Sequence, residues 1–493
     1  MSTISRRRLI VGAAGVAGGL AVGGLVGSCP AGQLVAPGSD AVRRAEAARR
    51  VNGQRIVTAR LTPQPTTLDL DNRTVSTWAY GNALPGPLIR ATAGDLLRVE
   101  VANLLDTSTS VHWHGLALRN DMDGVPGITQ DPIAAGASLT YESTAPDPGT
   151  YFYHPHSGMQ LDRGLYGALI IDDPAEPGDH DTEWVIVLDD WVDGTGRTPD
   201  QILADLTADQ GRPGGHGMGN GSMGGMGMGG MGTGEMQLRL LGGAGDVDYP
   251  HYLINGKTAA APSILTAKPG QRVRLRIINA GTDTAFRVAL GGHRLTVTHS
   301  DGFSVQHQEG DAVLIGMGER YDVIVTLRDG ILPLVASAEG KHGQGLAVVR
   351  TASGPAPRAN AHPAELDGQI VLGTELIASE ETRLTDKPVD RFHDLVLTGS
   401  MSPYRWLLNG KTFPDTDPLV VREGERVRLR FQSMAMMFHP MHLHGHTFGL
   451  LGSGVRKDTV IVRPMETIEV DLDANNPGRW LPTATTCTTP RPA

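Results

Sequence analysis

Cysteine is nearly absent. The 493-residue chain has two, Cys29 and Cys487, too few for a disulfide framework. Aromatic residues make up only 5% of it, no basic run interleaves with them, and the net charge is −10. That balance excludes a phosphate backbone as partner, so no nucleic acid is expected. Firm apolar runs are missing too. The longest, residues 9–26, is interrupted by six glycines, whereas a spanning helix needs about 20 firmly apolar residues. Helical periodicity is scarce, and residues 199–206 form the best short helix candidate.

What is plentiful is glycine, proline and histidine: 64 Gly, 32 Pro and 17 His. Many glycines and prolines suit short strands joined by tight turns. An internal repeat organises them. AlaThrAlaGlyAspLeuLeuArgValGluVal (91–101), AlaLysProGlyGlnArgValArgLeuArgIle (267–277) and ValArgGluGlyGluArgValArgLeuArgPhe (421–431) each place a glycine turn before an alternating strand. IleAsnGly (254–256) and LeuAsnGly (408–410) read as hairpin turns upstream of the second and third copies. Each repeat interval fits one β-sandwich. The expected architecture is all-β, with three domains at about 50–175, 180–355 and 365–493.

The N-terminal 1–49 is expected to be signal and linker. Ser5-Arg6-Arg7-Arg8-Leu9 resembles a twin-arginine export signal. Cys29 after Val26-Gly27-Ser28 resembles a lipidation box, which would attach the mature chain to a membrane; the alternative is an ordinary signal with a passing cysteine. Both place the mature protein outside the cytoplasm, in the envelope or secreted. A second unusual segment, 214–236, carries Met218, Met223, Met226, Met228, Met231 and Met236 in a glycine background. It cannot pack a core. Thioethers select Cu(I), so copper capture is expected there, against the alternative of a low-complexity linker.

The histidines are clustered. His112-Trp113-His114-Gly115, His154-Pro155-His156-Ser157 and His439-Pro440-Met441-His442-Leu443-His444-Gly445-His446 lie in the first and third domains. On a strand, residues i and i+2 share a face, so each His-x-His sets two imidazoles side by side, as metal ligation needs. A mononuclear zinc site takes about four ligands. The clusters exceed that, and a polynuclear site shared between two domains fits better.

This ordered set resembles the three-domain multicopper oxidases, the laccases and cuprous oxidases. SerValHisTrpHisGlyLeuAlaLeuArgAsnAspMetAspGly (110–124) and ValLeuIleGlyMetGlyGluArgTyrAspVal (313–323) strengthen the likeness, which is greatest to the exported mycobacterial copper-resistance oxidases. The resemblance implies three cupredoxin-like Greek-key sandwiches and copper of types 1, 2 and 3. It also implies one-electron oxidation of Cu(I) or phenols coupled to reduction of O2 to water. It assigns His112 and His442 to type 2 copper and His114, His154, His156 and His444 to the type 3 pair. His439 falls to type 1. Asp123 falls to a proton-relaying carboxylate; as a residue alone it is equally a turn carboxylate beside Gly124.

One family motif, His-Cys-His-x-x-x-His, is missing. It should follow the strand that begins Gly478-Arg479-Trp480, where the chain reads ProThrAlaThrThrCysThrThrProArgProAla (482–493). No histidine flanks Cys487. Back-translated and read from each third base, these codons can spell His-Cys-His-Asn-Leu-Tyr-His. A single-base frameshift near codon 482 is therefore expected, with the third domain incomplete, its last strand lost and an open edge left. The chain as written is expected to be inactive for want of the type 1 cysteine. The rival is a copper-sequestering protein without turnover. A purely structural β-sandwich protein would leave the clustered histidines unexplained.

Overall fold

The computed structural model describes residues 34–71, 73–176, 178–208, 240–401 and 404–484. The readings on the export signal, Cys29, the segment 214–236 and Cys487 lie outside them. The described chain is built from three successive β-sandwiches. In the first, a sheet of Ile56–Leu61, Leu96–Ala102 and Ser138–Thr144 accompanies a sheet of Ile89–Thr92, Gly167–Asp172, Gly149–His154 and His112–His114. The second pairs a seven-stranded with a six-stranded sheet. The third combines a six-stranded sheet with a three-stranded one ordered Thr459–Val462, His439–Leu443, Pro482–Ala484.

The sequence repeat is a repeat of topology. Gly94, Gly270 and Gly424 all have positive φ (92°, 82° and 86°), which only glycine adopts without strain. Each introduces the central strand of its sheet: Leu96–Ala102, Arg272–Asn279 and Arg426–Ser433. Each of these pairs parallel with its domain's opening strand, Ile56–Leu61, Thr182–Trp191 or Arg391–Met401. Each then pairs antiparallel on its other edge. The Asn-Gly turns also recur: Asn255 and Asn409 both sit at φ 52°. Each side chain clamps the opening strand. Asn255 accepts from the Val187 N–H at 2.7 Å and donates to Val185 O at 3.0 Å; Asn409 does the same with Val396 and Asp394, at 2.7 and 2.9 Å.

Two features depart from expectation. Residues 40–49 are more than linker: Asp40–Arg49 is a helix. Its buried Glu46 accepts hydrogen bonds from the N–H and hydroxyl of Thr144 at 2.9 and 3.0 Å. Its Arg49 reaches Asn476 of the third domain at 3.2 Å. The second departure is at the C-terminal edge. Pro482–Ala484 does pair, antiparallel, with Met441–Leu443, so that edge of the His439–Leu443 strand is covered over three residues. Pairing uses backbone groups and is indifferent to which side chains they carry; proline is tolerated at a strand's first residue. A second helix among the described residues, Pro199–Ala208, falls where periodicity placed it.

The second and third sandwiches share a continuous apolar core, running from Ile277 and Val323 to Phe431 and Val460. The first has its own around Trp113, Tyr141 and Tyr153. Polar contacts hold the first domain against the third beside the His112–His114 and His439–Leu443 strands: Asn476 donates to Leu118 O at 2.8 Å and Asn120 to Arg479 O at 2.6 Å.

Candidate metal centre

Six histidines meet where the first and third domains touch. His112 and His154 lie directly opposite on neighbouring antiparallel strands. From the third domain, the His442 ring stacks on His114 with centroids 3.8 Å apart, and His444 stacks on His112 at 3.9 Å. His156 closes the group, with its ring 5.1 Å from His444. All six are buried. Ring nitrogens of His112, His114 and His442 fall within 4.8 Å of one another, as do ligating atoms of His112, Asp123 and His444.

Backbone and carboxylate acceptors set the orientation of these rings. His112 Nδ1 faces Asp123 O at 2.8 Å, His442 Nδ1 faces Asp458 O at 2.9 Å, and His444 Nδ1 faces Asp123 Oδ2 at 3.0 Å. With Nδ1 donating, each Nε2 is a lone-pair donor. The Nε2 atoms of His112, His442, His444 and His439 are buried with no hydrogen-bond partner among the described residues. A buried polar atom without a partner is costly, and a metal would satisfy it. Burial and the neighbouring His112 hold His444 down at about 3. Burial and the neighbouring His442 push His114 down as well. These two imidazoles are therefore neutral and able to ligate near neutral pH. The donor set fits copper, for which imidazole is a suitable ligand.

Asp123 lies behind two of these rings rather than in an exposed turn. Burial opposes its ionisation, but His444 and His112 outweigh that and hold its carboxyl well below the usual range. Sequence reasoning missed Asp458. It is fully buried, with Oδ1 3.3 Å from His442 Nδ1 and 3.6 Å from His114 Nε2. In the sequence it is one half of a Lys-Asp dipeptide that reads as surface.

His439 stands apart from the six. Its ring faces the edge of Trp406 at 5.1 Å, and burial pushes its pKa down to about 4. It borders a cavity of about 530 Å³, shared with His446, Trp480 and Ala484. Among the described residues no thiolate stands beside it, so the residues present do not make a type 1 copper site.

Models of multicopper oxidase domains match residues 63–176, 182–353 and 386–482. The chain is 49% identical over 486 residues to the multicopper oxidase MmcO of Mycobacterium tuberculosis, spanning 96% of this chain and 92% of that one. The chain belongs to the multicopper oxidase family. It is also 26% identical to copper resistance protein A of Escherichia coli, over 80% of this chain and 85% of the relative. In fold it resembles Fet3p, a multicopper oxidase that functions in iron import (TM-score 0.73, 19% identity, 88% of each chain). A laccase from Botrytis aclada superimposes at TM-score 0.68, with 24% identity over 89% of this chain and 87% of the other. The multicopper oxidase is thus a copper-dependent oxidoreductase of three cupredoxin-like domains. Copper bound at the cluster supplies the family's O2-reducing chemistry. The protein's own contribution is to fix ring orientation, keep the imidazoles neutral, exclude water and hold a carboxylate at Asp123.

The motif glycine after His114 has a geometric cause. Gly115 has φ +87°, and a Cβ there would run into Arg320 Nη2 and Asp458 Oδ2. Gly115→Ala is expected to cost at least about 2 kcal/mol, combining left-handed strain with a clash against a buried ion pair. Urea unfolding of the two proteins measures it; a loss under half that size would show that the pair yields.

Proposed function

We propose that the enzyme oxidises Cu(I), and phenols secondarily, with O2 as electron acceptor, in copper tolerance outside the cytoplasm. His112 and His442 hold type 2 copper, His114, His154, His156 and His444 contribute to the type 3 pair, and the Asp123 carboxylate relays protons for O2 reduction. The observation that carries this is the buried cluster of six histidines drawn from two domains, in which the Nε2 atoms of His112, His442 and His444 have no hydrogen-bond partner among the described residues. The copper-resistance relatives and the methionine-rich segment 214–236 favour Cu(I) as reductant. Export through the N-terminal signal, with Cys29 as a lipid attachment point, belongs to the same proposal.

The chain as written binds copper at the cluster and does not turn over, because the codons after Leu481 are out of frame. The strand register supports this. Thr483 lies opposite His442, and Ala484 opposite Met441. Directly opposed residues share a face. Position 483 therefore faces the cluster, and position 484 faces the His439 side. A His-Cys-His run entering at 483 would send its histidines to the cluster and its cysteine toward His439. The sequestration reading is favoured for this chain by His439 standing without a thiolate among the described residues.

Substrate preference is tested in the frame-restored enzyme. Changing the six methionines of 214–236 to serine is expected to slow Cu(I) oxidation more than phenol oxidation, since hydroxyls hold Cu(I) poorly. Steady-state rates on both substrates decide it. Equal losses, or none, would reduce the segment to a linker.

A further inference from the structure

Among the described residues the second domain supplies no histidine to the cluster, yet one of its side chains bears on it through Asp458. We propose that Arg320 is a positioning residue for the copper ligands, acting through Asp458. Arg320 lies in the strand Arg320–Thr326 and is fully buried. Its guanidinium grips the Asp458 carboxylate with two parallel bonds, at 2.7 and 2.6 Å. Its Nε donates to Thr150 O of the first domain at 3.0 Å. One side chain of the second domain thus ties the other two together beneath the cluster.

Asp458 passes this constraint on. Its carboxylate lies against His442 and His114, and it accepts from the Thr459 hydroxyl at 2.9 Å. That hydroxyl also meets His114 Nε2 at 3.0 Å and His442 Nδ1 at 3.1 Å. The backbone is fixed from the same side. Asp301, also of the second domain, accepts from the N–H groups of Asp458 and Thr459 at 3.3 and 3.2 Å, and from the Arg320 N–H at 2.9 Å. Lys457 completes the network, 3.2 Å from Asp301 and 3.1 Å from Glu319. A planar fork held at both prongs gives direction as well as charge. Removing one partner of a buried pair leaves an uncompensated charge beside the ligands.

The test uses the chain as written, which carries both histidines assigned to type 2 copper. Copper content after dialysis, copper affinity by competition and the Cu(II) EPR spectrum are measured for Arg320→Gln, Arg320→Lys, Asp458→Asn and the Arg320→Gln/Asp458→Asn pair. Arg287→Gln, which breaks the distant buried pair with Glu339 (2.7 Å), controls for lost stability alone. Arg320→Gln is expected to weaken copper binding by about 10–100-fold, as orienting partners of metal ligands do, and to alter the EPR spectrum. Arg320→Lys keeps the charge and is expected to fold, but it cannot hold both oxygens, so it shows the altered spectrum with a smaller loss. The double variant binds no more weakly than the weaker single. Arg287→Gln lowers the unfolding temperature and leaves the spectrum unchanged. Additive losses in the double variant, or spectra that both Arg320 variants leave unchanged, overturn the proposal. The proposal rests on copper binding at the cluster. No copper uptake by the unaltered chain overturns that reading as well, whereas uptake indifferent to Arg320 overturns this one alone.

Discussion

Inserting one base after Leu481 is expected to turn a colourless copper protein into a blue oxidase. The insertion places a histidine at position 483, a cysteine at 484 and a histidine at 485. The backbone slot for the first two exists, because Pro482–Ala484 is already paired with Met441–Leu443. Alternation along that strand delivers the cysteine to the side of His439, whose buried Nε2 has no partner among the described residues. Thiolate and imidazole on one copper make the blue electron-transfer site, and the electrons it collects need the neighbouring cluster to reach O2. Without the thiolate neither colour nor turnover is expected, so the gain is all-or-none rather than graded. Visible spectra and O2 uptake with Cu(I) or a phenol measure it. A blue chain as written would refute the frameshift. A repaired chain that fills with copper yet consumes no O2 would favour sequestration.

Copper-free protein is expected to lose stability steeply as the pH falls from 6.5 toward 4. Burial holds His439 and His446 at about 4, and burial with His112 holds His444 at about 3. An unfolded histidine titrates near 6.5. Between these values the unfolded chain binds protons that the folded one refuses, so stability rises with pH through that window and is lost as pH descends through it. Each such histidine contributes on the order of 3 kcal/mol of acid destabilisation by pH 4. Asp123 and Asp458, both held below the usual carboxylate range, add their loss mainly as the pH drops below about 4. Urea midpoints measured across this range, with and without copper, test the prediction. Copper competes for the same nitrogens and should protect. A flat profile for the metal-free protein would mean that these rings take up protons while still folded.

The sequence alone determined the three-sandwich plan and the pairing of imidazoles. Both are local consequences. A Gly turn before an alternating strand specifies one unit, and His-x-His on a strand specifies one shared face. Hence His112, His114, His154, His156, His442 and His444 could be named together before any contact between domains was known. The separation of His439 from the six was carried by the family likeness; its place beside Trp406 was not. Tertiary structure alone decided the rest. Asp458 and Arg320 are 138 positions apart, and nothing local distinguishes either from a surface charge; only three-domain packing buries them against the ligands. The Asp40–Arg49 helix was invisible for a similar reason, because its stabilising partners, Thr144 and Asn476, come from distant strands and loops. The final strand shows the same division. Sequence showed which side chains at its end depart from the family motif, while backbone hydrogen bonding, which reads no side chain, decided that the strand forms.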